Sequence, residues 1–238
     1  MDGEPRSGGP DRGGPEHSDD DPGGYEADLA TYYNREAAAR DQHPLTPHRV
    51  ACREWFIRLL KDEHRHSMLE LGCGSGVDGI AFVQAGLHYC GVDLSEESVR
   101  LARAKGLDAS VANGRALPFA AAAFPAAWTM STLLHVPNRA IDDVVRELVR
   151  VTAPGAPIAV GLWSGDDEEL LNPEDDIEPR RFFSRRSDGA LREIFGRHGT
   201  VEHFETWPEG QGPESGPGAG QWVQHYQFLV LRTPGTPN

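Results

Sequence analysis

The stretch Leu69-Glu-Leu-Gly-Cys-Gly-Ser-Gly-Val-Asp-Gly79 puts glycines at 72, 74, 76 and 79, two positions behind an acid, Glu70. A backbone that bare can turn sharply and lets a ligand approach its amides closely. Two chemistries fit it. Read as G-x-G-x-x-G from Gly74, Gly76 and Gly79, the stretch is a dinucleotide fingerprint. Read as acid-x-G-x-G-x-G from Glu70 through Gly72, Gly74 and Gly76, it serves a different cofactor. Asp93 ends the next apolar run and is placed to accept both hydroxyls of a ribose, which either cofactor needs. Three features weigh against pyrophosphate. Gly72 takes the place straight after the strand yet lies outside the dinucleotide match. Glu70 at the loop's start would repel pyrophosphate, while it can organise the loop or face a cation. Asn113-Gly-Arg-Ala-Leu-Pro-Phe119 sets an amide before a small apolar box, which suits an adenine ring at the mouth of the same sheet.

The elements that must carry these residues alternate. Ser67–Leu71 reads as a strand, Val77–Ala85 as a helix, and His88–Asp93 as a second strand. Ser95 with Glu96 and Glu97 behind it caps a helix to about Lys105. A third strand spans Asp108–Ala112 and a fourth Ala126–Leu133. The helix Arg139–Val151 has Ile141, Val144, Val145, Leu148 and Val149 on one stripe, and Pro157–Trp163 is a fifth strand. Alternation of this kind implies an α/β fold with a parallel sheet covered on both faces. The end of the chain differs: a helix over Asp188–Arg197, then strands over Thr200–Trp207 and Gln221–Arg232, predict an antiparallel hairpin.

Residues 1–24, rich in Gly, Pro and Asp, predict a disordered tail, leaving 25–238 as a single domain with a helical N-terminal segment over 25–62. The net charge of −14 argues against a grip on nucleic acid, although seven acids against two arginines in residues 1–24 supply part of it. No apolar run approaches the ~20 residues of a membrane span, and the N-terminus has no signal-peptide core. Cys52, Cys73 and Cys90 are an odd number in dissimilar contexts, so a reduced, cytoplasmic protein is expected. Abundant Ala, Gly and Arg with two Lys associate with a GC-rich bacterial genome.

Glu70-Leu-Gly-Cys-Gly-Ser-Gly76, the terminal Asp93, the box from Asn113 to Phe119, and Ser131-Thr-Leu-Leu-His-Val-Pro137 together resemble class I S-adenosylmethionine-dependent methyltransferases of the small Methyltransf-11/25 type. The resemblance covers about residues 30–165 well, and the C-terminal hairpin in outline. It implies a Rossmann-like seven-stranded sheet whose last strand is inserted antiparallel. It also implies S-adenosylmethionine as cofactor and a methyl acceptor, read here as a small molecule, with secondary metabolism as one setting. A protein or peptide acceptor, a non-catalytic binder of the same cofactor and an NAD-dependent oxidoreductase are the alternatives. Carried over, Gly72, Gly74 and Gly76, with Glu70 and Cys73 beside them, would pass beneath the methionine part. Asp93 would hold the ribose, Leu94 would pack on the adenine, and Asn113, Gly114 and Arg115 would flank it. Asn113 stands where the family usually has Asp, and Phe124-Pro125 where it usually has Phe-Asp.

Methyl transfer needs a base only where the acceptor must lose a proton. His135, just past the fourth strand, is the best-placed titratable group, with helix capping or core packing as the plain alternative. Tyr33 and Tyr32 lie on a segment that in this family folds over the cofactor, and either closes the site or packs a helix. His43 shares that segment and reads as a loop residue. Trp163 either lines the acceptor pocket or is core. His64-Arg-His66 has no third ligand of suitable spacing and reads as a solvated turn, so no metal is expected. The run Ser164–Ser187 is acidic first and basic later. It is either an acceptor-side insert for a cationic amine or, preferably, a solvated, self-neutralising loop.

Overall fold

The computed structural model describes residues 24–208 and 225–235. The segments expected as a disordered tail, and as the first part of the last strand, fall largely outside them. Five strands, β1 (Ser67–Leu71), β2 (His88–Asp93), β3 (Ala109–Val111), β4 (Ala127–Met130) and β5 (Pro157–Trp163), pair in parallel in the order β3-β2-β1-β4-β5. The sheet continues with β9 (His225–Arg232), antiparallel to β5, and ends on β8 (Thr200–Pro208), antiparallel to β9. This is the seven-stranded, mostly parallel sheet with a C-terminal antiparallel hairpin that the sequence predicts.

Strand alternation divides the core between the two faces. Leu69 and Leu71 of β1, Ile158, Val160 and Leu162 of β5, and Leu229 and Leu231 of β9 meet α5 (Ile141–Val151) and α6 (Asp188–Gly196). Met68, Trp128, Ala159, Phe228 and Val230 meet α2 (Pro47–Asp62), α3 (Val77–Gln84) and α4 (Glu96–Ala104) on the other face. Helix starts follow their caps: Thr46 accepts from the Arg49 amide ahead of Pro47, Ser95 from Ser98, and Ser187 from Ala190. The remaining helix, α1 (Gly24–Arg40), is tied to α4 by Asn34, which accepts from the Ser95 hydroxyl (2.8 Å) and the Glu97 amide (3.1 Å).

Two expectations need correction. The fourth strand stops at Met130, short of Leu133, because Ser131 takes a positive φ of 53° and the chain enters a 3-10 turn over Leu133–His135. Thr132 fixes that turn by bonding the carbonyls of Met130 (3.2 Å) and Leu71 (3.3 Å). The run 164–187 is not a solvated loop. It forms a hairpin of β6 (Glu168–Leu171) and β7 (Phe182–Arg185), locked by Arg181, which meets Asp175 at 2.6 Å. The acid and base blocks do neutralise one another, but they do so as ordered pairs.

Candidate active site

A cavity of about 460 Å³ opens at the carboxyl ends of the strands, where the order reverses between β1 and β4. Its floor is the loop between β1 and α3. The amide of Gly74 donates to Asp93 Oδ2 at 2.8 Å, and the amide of Ser95 donates to Asp93 Oδ1 at 2.9 Å. These bonds hold the carboxylate at the end of β2 facing the loop. Burial nevertheless raises its pKa against the pull of the amides. Gly72 and Gly74 differ in kind. A Cβ on Gly72 (φ 76°) would come within 2.0 Å of Thr132 Oγ1, so glycine there lets the loop pass the turn after β4. A Cβ on Gly74 (φ 52°) would meet nothing within 4 Å and would enter the cavity itself. That bare spot leaves open space on the cavity side of the loop.

The loop stands on a buried polar layer. Asp78, 1% exposed, accepts from Arg49 (2.8 Å), Arg53 (2.9 Å) and the Trp128 indole (3.2 Å), which together keep its pKa low despite burial. Glu70, also 1% exposed, accepts from the Tyr89 hydroxyl at 2.6 Å, and burial raises its pKa well above the usual carboxylate range. Above the loop, Asp41 accepts from the Ser75 hydroxyl at 2.6 Å and from Lys105, which docks the end of α1.

The other half of the cavity is made by side chains. His135, 3% exposed, meets the Tyr33 hydroxyl through Nε2 (2.7 Å) and the Phe182 carbonyl through Nδ1 (2.8 Å). A carbonyl only accepts, so Nδ1 carries the proton and Nε2 accepts from Tyr33. Burial pushes the imidazole pKa down to about 3, and burial likewise raises that of the Tyr33 phenol. The pair is therefore neutral at pH 7. Trp163, Tyr226, Trp207, Phe183 and Tyr25 supply aromatic surface to the same cavity.

Of the residues singled out in the sequence, Gly72, Cys73, Gly74, Asp93, Leu94, Asn113, Gly114, Tyr33 and His135 all line this cavity, as do His43 and Trp163. Glu70, Gly76 and Arg115 do not. The period of β1 turns Glu70 to the sheet face opposite Leu69 and Leu71, beneath the loop. Gly76 is buried against Leu107 and Ala102. Arg115 turns to a shallow outer depression beside Asp143 and Glu147 and lies 3.8 Å from Glu26. Cys73 gives the cavity its backbone position while its thiol packs near Gly91, and burial raises the thiol pKa, so it is no nucleophile. Tyr32 is buried under Arg181, whose guanidinium lies 4.9 Å above its ring. His64 and His66 are exposed, and among the described residues no group of His, Cys, Asp and Glu could hold a metal. No helix of the described residues is long and apolar enough to cross a membrane.

Sequence reasoning missed Arg40, Arg49, Arg53 and the Arg181–Asp175 pair. Arg49 and Arg53 are one helical turn apart on α2, a spacing visible in the chain, but nothing local points them at Asp78. Arg40 lines the cavity next to Asp41 with its guanidinium 5.2 Å from the Tyr33 ring, and has no carboxylate partner among the described residues.

Comparison with known proteins bears on the fold. Residues 68–155, from β1 through α5, match the family model described as Methyltransferase domain. The ubiquinone biosynthesis O-methyltransferase of Bordetella avium is 30% identical over 154 residues, covering 62% of each chain. The norajmaline N-methyltransferase of Rauvolfia serpentina is 33% identical over 122 residues, covering 46% of this chain and 41% of its own. The chain thus spans less than two thirds of the length of these curated relatives. In fold, it resembles Burkholderia thailandensis 1,6-didemethyltoxoflavin-N1-methyltransferase, solved with 1,6-didemethyltoxoflavin and S-adenosylhomocysteine. The TM-score is 0.64 at 18% identity, covering 90% of this chain and 91% of that one. With the glycine loop, the Asp93 carboxylate and the sheet order all in place, the span from β1 through α5 matches the methyltransferase-domain family, and the sheet has the fold of the solved methyltransferase named above.

Proposed function

We propose that the protein transfers a methyl group from S-adenosylmethionine to a small-molecule acceptor. The observation that carries this reading is the open cradle at Gly74 facing the Asp93 carboxylate, at the point where the sheet order reverses. When bound, the cofactor supplies an already activated methyl group on a sulfonium. What remains for the protein is alignment and exclusion of water, which can supply ~7–11 kcal/mol of the barrier.

Each part of the cavity has a task in this reading. Asp93 retains lone pairs beyond those used by the two amides, and these accept ribose hydroxyls. Asn113 already uses its side-chain oxygen on the Arg115 amide (2.8 Å), which leaves its NH₂ end to donate to an adenine nitrogen. Leu94 offers apolar surface to that ring. Arg40, without a carboxylate of its own beside the loop, is suited to the carboxylate of the methionine part. Tyr33 and His135 belong to the acceptor side. The proton of Tyr33 is held by His135, so the phenol oxygen can accept from an acceptor hydroxyl or amine and orient it. With an imidazole pKa of about 3, His135 is a weak proton acceptor, and its chief effect is to fix the direction of the Tyr33 O–H.

The relatives named above support a small-molecule acceptor, and one being an O- and another an N-methyltransferase leaves both atoms in play. Calorimetric titration with S-adenosylhomocysteine tests the cofactor half. A methyl-transfer assay with radiolabelled S-adenosylmethionine against a panel of phenols, acids and amines tests the rest. Cofactor binding without transfer to any of these would favour a binding protein.

A further inference from the structure

The hairpin of β6 and β7 gives its two faces to two surroundings. Ser184 and Arg186 face the body of the protein. Arg186, 1% exposed, donates to the carbonyls of Val136 (2.7 Å) and Leu133 (3.2 Å) and to Asn138 Oδ1 (3.0 Å), all acceptors from the turn after β4. Arg181, Phe183 and Arg185 alternate with them and line the cavity. The acceptor side of the site therefore has a cation–aromatic–cation stripe on one wall.

The two cations are not equivalent. Arg181 is neutralised by Asp175, which takes its Nη2 at 2.6 Å and its Nε at 3.0 Å. Arg49, elsewhere in the cavity wall, is neutralised by Asp78 in the same way. Arg185 has only Glu168, on the facing strand, at a loose 3.9 Å, and its Nε is buried with no hydrogen-bond partner. A buried donor left unsatisfied is unfavourable, and an anion brought to this guanidinium would give it a partner. The guanidinium lies 5.1 Å from the Phe183 ring, and that ring lies 4.9 Å from His135. Beyond it, Gly165 packs against the Arg185 side chain and brings the end of β5 close, with Trp163 edge-to-face on Tyr226 at 5.1 Å.

Carboxylates on the wall offer no matching site for a cation. Asp93 takes two backbone amides, and Asp78 has three donors. Glu26 accepts from Tyr25 at 3.0 Å and lies 3.8 Å from Arg115, and Glu174 is exposed at the rim. The acidic half of the insert, which suggested an amine from sequence, is spent within the hairpin or left in solvent.

We propose that the methyl acceptor is a planar aromatic or conjugated hydroxy acid, its carboxylate received by Arg185 and its ring held beside Phe183, Trp163 and Tyr226. Arg185 stands two residues along β7 from Phe183, about 6.6 Å of strand. That is comparable to the span of one benzene ring with its para substituents, and the Phe183 ring in turn neighbours His135, so the proposal sets a hydroxyl at the far end toward the Tyr33–His135 pair. The inference rests on the methyltransferase reading only in naming this ligand the methyl acceptor.

The para-substituted series 4-hydroxybenzoate, 4-hydroxybenzamide and 4-hydroxybenzylamine tests it, titrated by tryptophan fluorescence into protein with and without saturating S-adenosylhomocysteine. The acid is expected to bind about tenfold tighter than the amide, with the amine weakest. Arg185→Gln should erase the difference and Arg185→Glu should invert the order, both with S-adenosylhomocysteine affinity unchanged, which also reports that the variants fold. Equal binding of the three, preference for the amine, absence of binding by the acid at millimolar concentration, or a preference surviving in Arg185→Gln would each overturn the proposal. Failure of the wild-type protein to bind S-adenosylhomocysteine would sink the cofactor reading instead, and the order measured without it would still decide the role of Arg185.

Discussion

The two halves of the cavity are built on different principles. The half proposed for the cofactor is made by backbone: glycines without Cβ atoms, amides of residues 74 and 95, and one carboxylate at a strand end, all within about 25 residues of chain. The half proposed for the acceptor is made by side chains from distant segments. Tyr33 and His135 are 102 residues apart, and Phe183 and Arg185 arrive on a separate two-stranded sheet. A backbone-made site can change its surrounding residues without losing its ligand. A side-chain-made site can change its ligand without losing the fold.

The sharpest way to break this contrast lies within the glycine loop. Gly72→Ala should destabilise the fold by about 3 kcal/mol or more, from the clash with Thr132 added to left-handed strain, and thermal unfolding would read it. Gly74→Ala should cost only the strain, about 1–2 kcal/mol, yet lose S-adenosylhomocysteine affinity out of proportion, because its methyl enters the cradle. If both variants lose stability and affinity alike, Gly74 is not ligand-facing.

Asp93→Ala comes next. Removing the carboxylate proposed to accept ribose hydroxyls should weaken S-adenosylhomocysteine by about 100-fold, or ~3 kcal/mol, in calorimetry. Across the cavity, Tyr33→Phe and His135→Gln should leave that affinity unchanged while slowing methyl transfer about 10–100-fold. A loss of cofactor affinity in either would blur the boundary between the halves.

The smallest effect is one of pH on stability. Burial holds His135 neutral down to about pH 3, against 6.5 in the unfolded chain. Below 6.5 the unfolded state takes up a proton that the folded state refuses, so the fold loses stability as pH falls toward 3. The slope is at most ~1.4 kcal/mol per pH unit. Glu70 and Asp93, with raised pKa values, act in the opposite sense. The difference between wild type and His135→Gln isolates the histidine: urea denaturation at pH 7 and pH 5 should show a steeper acid loss in the wild type.

The same division explains what the chain discloses before folding. Strands β2 and β5 are legible to the residue because their apolar runs and flanking turns are local signals. That Gly72, Gly74 and Asp93 share one cavity is legible because a glycine loop and the acid ending the next strand are both short, local signals. Glu70 was legible as an important acid but not in its direction, since only the pairing of β1 decides which sheet face it takes. The β6–β7 hairpin was hidden because its strands are four residues each and charged, and its order comes from Arg181–Asp175 and from Arg186 reaching the turn after β4. No window of sequence contains those contacts.

The central claim is that the glycine loop holds S-adenosylmethionine and not a dinucleotide. Parallel calorimetric titrations with S-adenosylhomocysteine and with NAD, on wild type and Asp93→Ala, test it directly. The account predicts roughly micromolar binding of S-adenosylhomocysteine, weakened by the substitution, and none of NAD. Binding of NAD alone would contradict it, and Gly74, Gly76 and Gly79 would then be the fingerprint that counts.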